Sequence, residues 1–417
     1  MEIDLTNELG AKNWLMILGE NGVGKTTILR CIALGLCEQS GAAGLCAEVT
    51  GDWIRTGAEK GIIRLEMLPT PGYASEAYVE TVLERSLYNE TKLTQVTFPE
   101  TSDQFDWTKL FVCGYGSARS IYGSMDVSEY SVTDSVYSLF NYNADLQNPE
   151  LCIRRLTSEK INKRQLFEKL EEILMLKQDS IDLTKNGIVV NGPWGNSMQI
   201  GTLGDGYRSM LTWLLDLYGW KLLAEEDISD IELEGIVIID EIEKHLHPKW
   251  QKQLIGLLSK QFPNIQFIAS THSPLCVIGT TEIPDSNCCI AVSRQTGSAV
   301  ETLMTTAPRG KRADQVLTSY LFDLYTTGDN EIQESIGQYK DLYQKKDRTA
   351  EEEKLLKDLF VKLEKVLGSA ETDMQKKVED AVSITLKNMS NEAMNKIEPN
   401  DPYIFEIKRQ LQELFSE

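Results

Sequence analysis

The sequence predicts an α/β fold, a mixed or mostly parallel sheet flanked by helices, followed by a helical C-terminal region. Three apolar runs carry this expectation. Trp14–Leu18 leads into a glycine loop and then a helical pattern, Gly235–Ile239 ends in Asp240-Glu241, and Ile265–Ser270 ends in Thr271-His272-Ser273-Pro274. Runs this continuous are typical of strands covered on both faces. Each ends in polar residues at its carboxyl end, where open α/β sheets bind ligands.

The first run opens Gly19-Glu20-Asn21-Gly22-Val23-Gly24-Lys25-Thr26, a Gly, four free positions, then Gly-Lys-Ser/Thr. Glycines let the backbone curl its N–H groups onto phosphate oxygens, and the helix that follows adds the positive end of its dipole. Lys25 is placed to reach the β- and γ-phosphates and Thr26 to ligate Mg²⁺. Asn21, Gly22, Val23, Gly24, Lys25, Thr26 and Thr27 are the candidate phosphate-binding residues. Little precedes Trp14: either an earlier strand is absent or Met1–Leu5 is what remains of it.

The helix is expected to continue past Cys31 and turn at Gly41 and Gly44. A strand at 61–67 follows, with Ile62, Ile63, Leu65 and Met67, ended by Pro69, Pro71 and Gly72. Residues 73–105 give no clear pattern. Leu110–Cys113 reads as another buried strand, and Gly114–Arg119 after it as a substrate-facing loop or a surface turn. Residues 157–177 read as one amphipathic helix with Ile161, Leu166, Leu170, Ile173 and Leu174 on its apolar side and Thr157 in position to cap it. Ile188–Val190 and Met198–Ile200 read as a hairpin around Asn191-Gly192-Pro193.

Leu203-Gly204-Asp205-Gly206-Tyr207-Arg208-Ser209-Met210 then opens an apolar helix, Leu211–Leu223. A Gly-flanked turn at a helix start is a second anion-binding terminus, a weak signal by itself. At the next strand end Asp240 is placed to hold Mg²⁺ and Glu241 to act as general base on the attacking water. His245-Leu246-His247 invites a metal; a turn against a neighbouring subunit is the better reading. Pro248–Gln261 is a helix, and His272, at the tip of the next strand, is placed to sense the γ-phosphate.

In this order the glycine loop, Leu203–Ser209, Ile239–Pro248 and Thr271–Pro274 resemble the ABC-type ATPases of the RecF/SMC/OLD group (AAA_21-type), over roughly residues 10–280. Within that group the chain looks most like the ATPase subunits of Septu anti-phage systems, with weaker support from Arg309–Ser319. The resemblance implies an ABC-ATPase head that works in pairs. Gly204, Asp205 and Gly206 of one chain would cap ATP held by Lys25 of another, and His272 would be the switch histidine. The signature reads Leu-Gly-Asp-Gly-Tyr-Arg and not Leu-Ser-Gly-Gly-Gln, which disfavours a transporter subunit. No glutamine is placed as the Q-loop residue; Gly114–Arg119 is a candidate for that loop. SMC proteins insert long coiled coils between loop and signature, whereas residues 27–203 hold one convincing helix, so the head has no arms.

At 417 residues the chain has room for two or three domain-sized units, and 41% hydrophobic with 25% charged residues is ordinary globular composition. No apolar run approaches the ~20 residues that span a bilayer, and the acidic start is unlike a signal peptide. Eight cysteines without CxxC spacing read as reduced thiols, which places the protein in the cytoplasm. The formal net charge of −21 argues against a protein that coats DNA, while leaving a local basic groove open.

The expected head covers residues 1–290, with a helical insertion at about 125–185. Residues 291–417 are expected to be helical and to serve oligomerisation or partner docking; a lid over the ATPase core is the alternative. Ile332, Ile336, Tyr339 and Leu342 form one stripe. Thr349–Glu352 is a capping box that opens a second helix with Leu355, Leu356, Leu359, Leu363 and Val366, the two folding back as a hairpin. The chain's three histidines all lie in ATPase motifs, and no Asp-x-Asp pair follows residue 280, so a nuclease would be a separate subunit, HNH-type by expectation. The favoured reading is a regulatory ATPase that controls such an effector in phage defence. A RecF-like repair ATPase that binds DNA as an ATP-gated dimer is the second, and a non-hydrolysing nucleotide-gated scaffold the third.

Overall fold

A computed structural model of the chain describes residues 2–367, apart from 8–9, 68–76, 86–90, 99–106, 108–109, 120–122, 124–126, 159–161, 186, 226–231, 297–298 and several positions between 323 and 347. The chain divides into two compact units, residues 1–324 and 325–417.

In the first unit a small pair, β1 (Thr6–Asn7) and β2 (Gly10–Ala11), precedes β3 (Trp14–Leu18). Helices α1 (Lys25–Leu36) and α2 (Gln39–Glu48) follow. Strands β4 (Lys60–Met67), β5 (Ala77–Arg85) and β6 (Thr91–Phe98) make an antiparallel sheet of their own. Next come β7 (Val112–Tyr115), α3 (Val132–Val136), α4 (Pro149–Ser158) and α5 (Lys163–Ile173). A second antiparallel sheet holds β8 (Ile181–Thr184), β9 (Gly187–Asn191) and β10 (Ser197–Gln199). The unit continues with α6 (Asp205–Ala224), β11 (Glu234–Ile239), α7 (Pro248–Gln261), β12 (Asn264–Thr271) and α8 (Pro274–Gly279). It closes with β13 (Cys288–Thr296), β14 (Ala299–Thr305) and α9 (Ala313–Leu317).

The central sheet runs β14-β13-β3-β12-β11-β7. All neighbours are parallel except β14, which pairs antiparallel with β13. Both faces of its inner strands are covered, so β3 and the centres of β11, β12 and β13 are buried and mostly apolar. Trp14, Met16 and Leu18 enter one core with Val237, Ile239 and Phe267, roofed by α6 and α7. Leu15 and Ile17 enter the other with Ile238 and Ile268, roofed by α1 and α2. This is the period-two alternation of a strand read with apolar residues on both sides. The strand and helix expectations at the glycine loop, at 235–239, 248–261 and 265–270, and the hairpin around Asn191–Pro193, agree with these elements.

Elsewhere the structure differs. Gly41 and Gly44 do not turn the chain; they lie inside α2, where Gly41 admits α3, since a Cβ there would sit 1.9 Å from Thr133 Oγ1. Packing overrides the low helix propensity of glycine. The single helix expected at 157–177 is not formed: Thr157 lies within α4, and α5 starts at Lys163, where Asn162 accepts from the N–H groups of Arg164 and Gln165. Ile161 lies outside the described residues. The insertion expected at about 125–185 holds α3, α4 and α5 but runs into β8. The boundary expected at residue 290 falls inside β13, and the compact unit extends to Leu324. Strand β14 is an edge whose Leu303 is exposed, so its sequence lacks the apolar run that marks the inner strands.

In the second unit the described helix is α10 (Ala350–Leu367). Thr349 N–H donates to Glu352 Oε2 at 2.9 Å and Glu352 N–H to Thr349 Oγ1 at 3.3 Å, the expected capping box. Lys362 Nζ donates to Glu331 Oε1 at 2.6 Å, and Tyr339 and Phe360 face each other at 6.3 Å, so an earlier helical stretch packs on α10. Ile332, Ile336, Leu363 and Val366 fall outside the described side chains. No helix among the described residues is long and apolar enough to cross a membrane.

One buried acid links α6 to the sheet. Asp216 accepts from Tyr115 Oη of β7 at 3.0 Å and from Gln147 N–H at 2.8 Å. Burial pushes its carboxyl up to about 7 from an ordinary 3.8, although the Gln147 N–H and the Tyr115 and Trp220 side chains oppose the rise. The folded chain therefore binds this proton more tightly than the unfolded chain. The resulting stability is present in full below about pH 4 and fades as pH rises through 7. Urea unfolding followed from pH 5 to 8 is expected to show stability falling with pH, and Asp216→Asn to flatten that slope.

Candidate active site

Strand β3 delivers the chain to Gly19, where a Cβ would lie 2.5 Å from the Ser293 carbonyl of β13. Only glycine lets the loop start this close to the neighbouring strand. Gly24 caps α1 in the left-handed region, φ 86°. Lys25, 6% exposed, folds back to donate from Nζ to the Gly19 and Glu20 carbonyls at 2.9 and 2.7 Å. Burial lowers its pKa, partly offset by Asp240, Glu241 and Glu243. Val23 is buried beneath the loop, its carbonyl accepting from Ser293 Oγ at 3.3 Å.

The Asp240 carboxylate is shared. Thr26 Oγ1, at the start of α1, donates to Oδ2 at 2.8 Å; Ser270 Oγ, near the end of β12, donates to Oδ1 at 2.5 Å. Ser270 Oγ also accepts from Glu241 N–H at 2.8 Å. Glu241 itself has φ 49°. For a residue with a Cβ this conformation costs roughly 1–2 kcal/mol and persists only where neighbours impose it. Lys244 Nζ lies 3.6 Å from its carboxylate.

Glu243, assigned no role from sequence, ties the next turn down. Its Oε2 accepts from Thr271 Oγ1 at 2.7 Å and its Oε1 from His272 N–H at 2.6 Å. His247 caps α7, its Nδ1 accepting from Lys249 N–H at 3.3 Å. The structure gives it that local task, with no metal needed to explain it.

Gly114–Arg119 does not line this site's cavity. Gly114 and Tyr115 close β7, and Arg119, 3% exposed, points behind the Asp240–Ile242 turn. Burial lowers Arg119 to about 10, partly offset by Glu243, Asp240 and Glu241. A buried arginine looks the same in sequence as a solvated one, since its partners lie over a hundred residues away.

An open cavity of about 300 Å³ collects Asn21, Gly22, Gly24, Lys25, Thr26 and Thr27 with Asp240, Glu241 and His272. Of the residues singled out from sequence, Val23 and the signature residues Gly204, Asp205 and Gly206 do not line it. Asp205 instead pairs with Arg208 at 2.6 Å, and Gly206 lies against the turn after Glu241, where a Cβ would sit 2.7 Å from the His245 carbonyl. The donor set suits a magnesium nucleotide. The Thr26 hydroxyl and Asp240 carboxylate are hard oxygen ligands side by side, Lys25 and a glycine loop at a helix start serve phosphate, and the cavity is of ligand size.

Residues 116–277 match the family model described as an AAA domain, putative AbiEii toxin, Type IV TA system. Septu protein PtuA of Bacillus mycoides (strain KBAB4) is 30% identical over 372 residues, 88% of the chain and 49% of that protein. The retron Vc95 probable ATPase of Vibrio cholerae serotype O1 biovar El Tor is 30% identical over 142 residues, 34% of the chain and 26% of that protein. The chain thus spans about half the length of the first relative and about a quarter of the second. An SMC head solved with the C-winged helix domain of ScpA covers 72% of the chain and 92% of its own, at a TM-score of 0.45 and 14% identity, a likeness too slight to argue from.

Ser270→Ala removes both bonds of a fully buried hydroxyl and leaves the Glu241 N–H unpaired. It is expected to cost about 1–3 kcal/mol of stability in urea unfolding.

Proposed function

We propose that the chain is a P-loop ATPase, its residues 116–277 similar to the AAA_21 family model, and that it binds ATP with Mg²⁺ and hydrolyses it as the regulatory subunit of a bacterial anti-phage defence complex. One observation carries the chemistry: Lys25, Thr26, Asp240, Glu241 and His272, from three separate stretches of sequence, converge on one cavity, with Thr26 and Asp240 in hydrogen-bond contact.

In this reading Lys25 leaves the loop carbonyls and, with the loop N–H groups from Asn21 to Thr27, binds the β- and γ-phosphates. Thr26 and Asp240 hold Mg²⁺, which neutralises charge on the phosphate oxygens. Glu241 accepts a proton from the attacking water. His272 senses the γ-phosphate. Gly204, Asp205 and Gly206 lie outside their own chain's cavity, which supports a second head whose signature turn completes the site. The chain therefore works as a dimer or higher oligomer. Similarity to a Septu protein and to a retron ATPase supports the defence setting. A separate nuclease, HNH-type, is the effector, and the residues that follow the ATPase head serve self-association or docking to it.

Glu241→Gln keeps the phosphate and Mg²⁺ contacts but removes the base. It is expected to lower ATP turnover by about 10²–10⁴-fold while ATP stays bound and ATP-bound oligomers accumulate. Hydrolysis at the wild-type rate would exclude Glu241 as the base. Lys25→Ala is expected to weaken ATP binding; unchanged affinity would exclude the loop as the phosphate site. Native mass spectrometry of the Glu241→Gln protein from its host, with ATP and Mg²⁺, reads the partner. A stoichiometric nuclease supports the defence role. A lone dimer that binds DNA only with ATP points to a RecF-like repair protein.

A further inference from the structure

We propose that Arg119 is a positioning residue for hydrolysis: it holds the backbone of the Glu241 turn, and so aims the Glu241 carboxylate, without touching nucleotide. The proposal rests on the reading of Glu241 as the base.

Arg119 is not part of the cavity lining. Its Nη1 donates to the Asp240 carbonyl at 2.6 Å and its Nη2 to those of Glu241 and Ile242 at 2.7 and 3.1 Å, with a fourth bond from Nη1 to Gly116 at 3.3 Å. Successive carbonyls of a strand point to opposite sides. Three of them converge on one planar group here because the chain reverses at Glu241, whose φ is 49°. The left-handed turn and the guanidinium therefore require each other. From the other side Ser270 Oγ takes the Glu241 N–H and the Ser270 carbonyl takes the Ile242 N–H at 3.0 Å. Both peptide planes flanking Glu241 are fixed, and its side chain is left to the cavity. A rigid fork suits this task better than an ammonium, which offers a point charge on a flexible stem.

The test uses the full chain as wild type, Arg119→Lys, Arg119→Met, Glu241→Gln and the Arg119→Lys/Glu241→Gln double variant, with turnover, ATP affinity and thermal unfolding measured for each. Arg119→Lys is expected to lower kcat by about 10- to 100-fold, the scale of a misplaced catalytic group, with ATP affinity within about threefold of wild type. In the Glu241→Gln background the same change is expected to alter the residual rate by less than about twofold, because residues that act as one unit are not additive. The idea is overturned by a folded Arg119→Lys protein with wild-type kcat, by an equal loss in ATP affinity, or by losses that multiply in the double variant. If Arg119→Lys does not fold, Arg119→Met is read by the same criteria. Unfolding of both would also overturn it, by making Arg119 a residue of stability alone. A wild-type protein that does not hydrolyse ATP fails differently: it removes the role assigned to Glu241, whatever the Arg119 variants do.

Discussion

The shared carboxylate of Asp240 is the contact the rest of the site depends on. Thr26 lies in the first turn of α1, Asp240 directly follows β11 and Ser270 lies near the end of β12, so one carboxylate joins the helix after the glycine loop to two neighbouring strands. The sheet makes the meeting possible. Parallel registers of β3, β12 and β11 bring their carboxyl ends to one side, and continuous apolar burial on both faces keeps them there. Each hydroxyl that holds the carboxylate also occupies an oxygen that a divalent ion could take.

Charge explains why the cluster tolerates its acids. The chain has a formal net charge of −21, and Asp240, Glu241 and Glu243 fall within four residues of one another. Two buried cations stand among them, Lys25 from the cavity side and Arg119 from behind, and all three acids oppose the effect of burial on both. Each sign stabilises the other in a place where either alone would be costly. The two cations differ in setting: Lys25 lines the open cavity and is bonded to the Gly19 and Glu20 carbonyls of its own loop, while Arg119 lies outside it and is bonded to carbonyls of the turn.

The parts of the fold legible in sequence are those where one local rule dominates. Strands β3, β11 and β12 are buried on both faces and read as apolar runs, and the glycine loop is set by spacing. The same applies to α7 with Pro248 at its start and to the Thr349–Glu352 capping box. Strands β5 and β6 were not legible, because their inner positions Val79, Leu83 and Leu93 alternate with charged residues on a half-exposed sheet. Gly41 misled because its role is set by Thr133, far away in sequence. The boundary at residue 290 was misplaced because β14 is an edge strand. At the site, motif spacing identified the residues that line the cavity. Ser270, Glu243 and Arg119 act through backbone groups that spacing does not reveal.

The order of strands also bears on how the chain reaches this state. Strand β3, which leads into the glycine loop, lies between β12 and β13, and its register pairs residues about 250 apart, as Trp14 with Phe267. During synthesis Trp14–Leu18 leaves the ribosome with neither neighbour made. At about 5–20 residues per second the wait lasts roughly 10–50 s, and closing so long a separation is slow in itself. For that time a wholly apolar segment, Trp14–Leu18, is unpaired and open to chaperones or to other nascent chains. The order around the glycine loop that needs β12 beside β3 therefore arises only after Thr271 has been made.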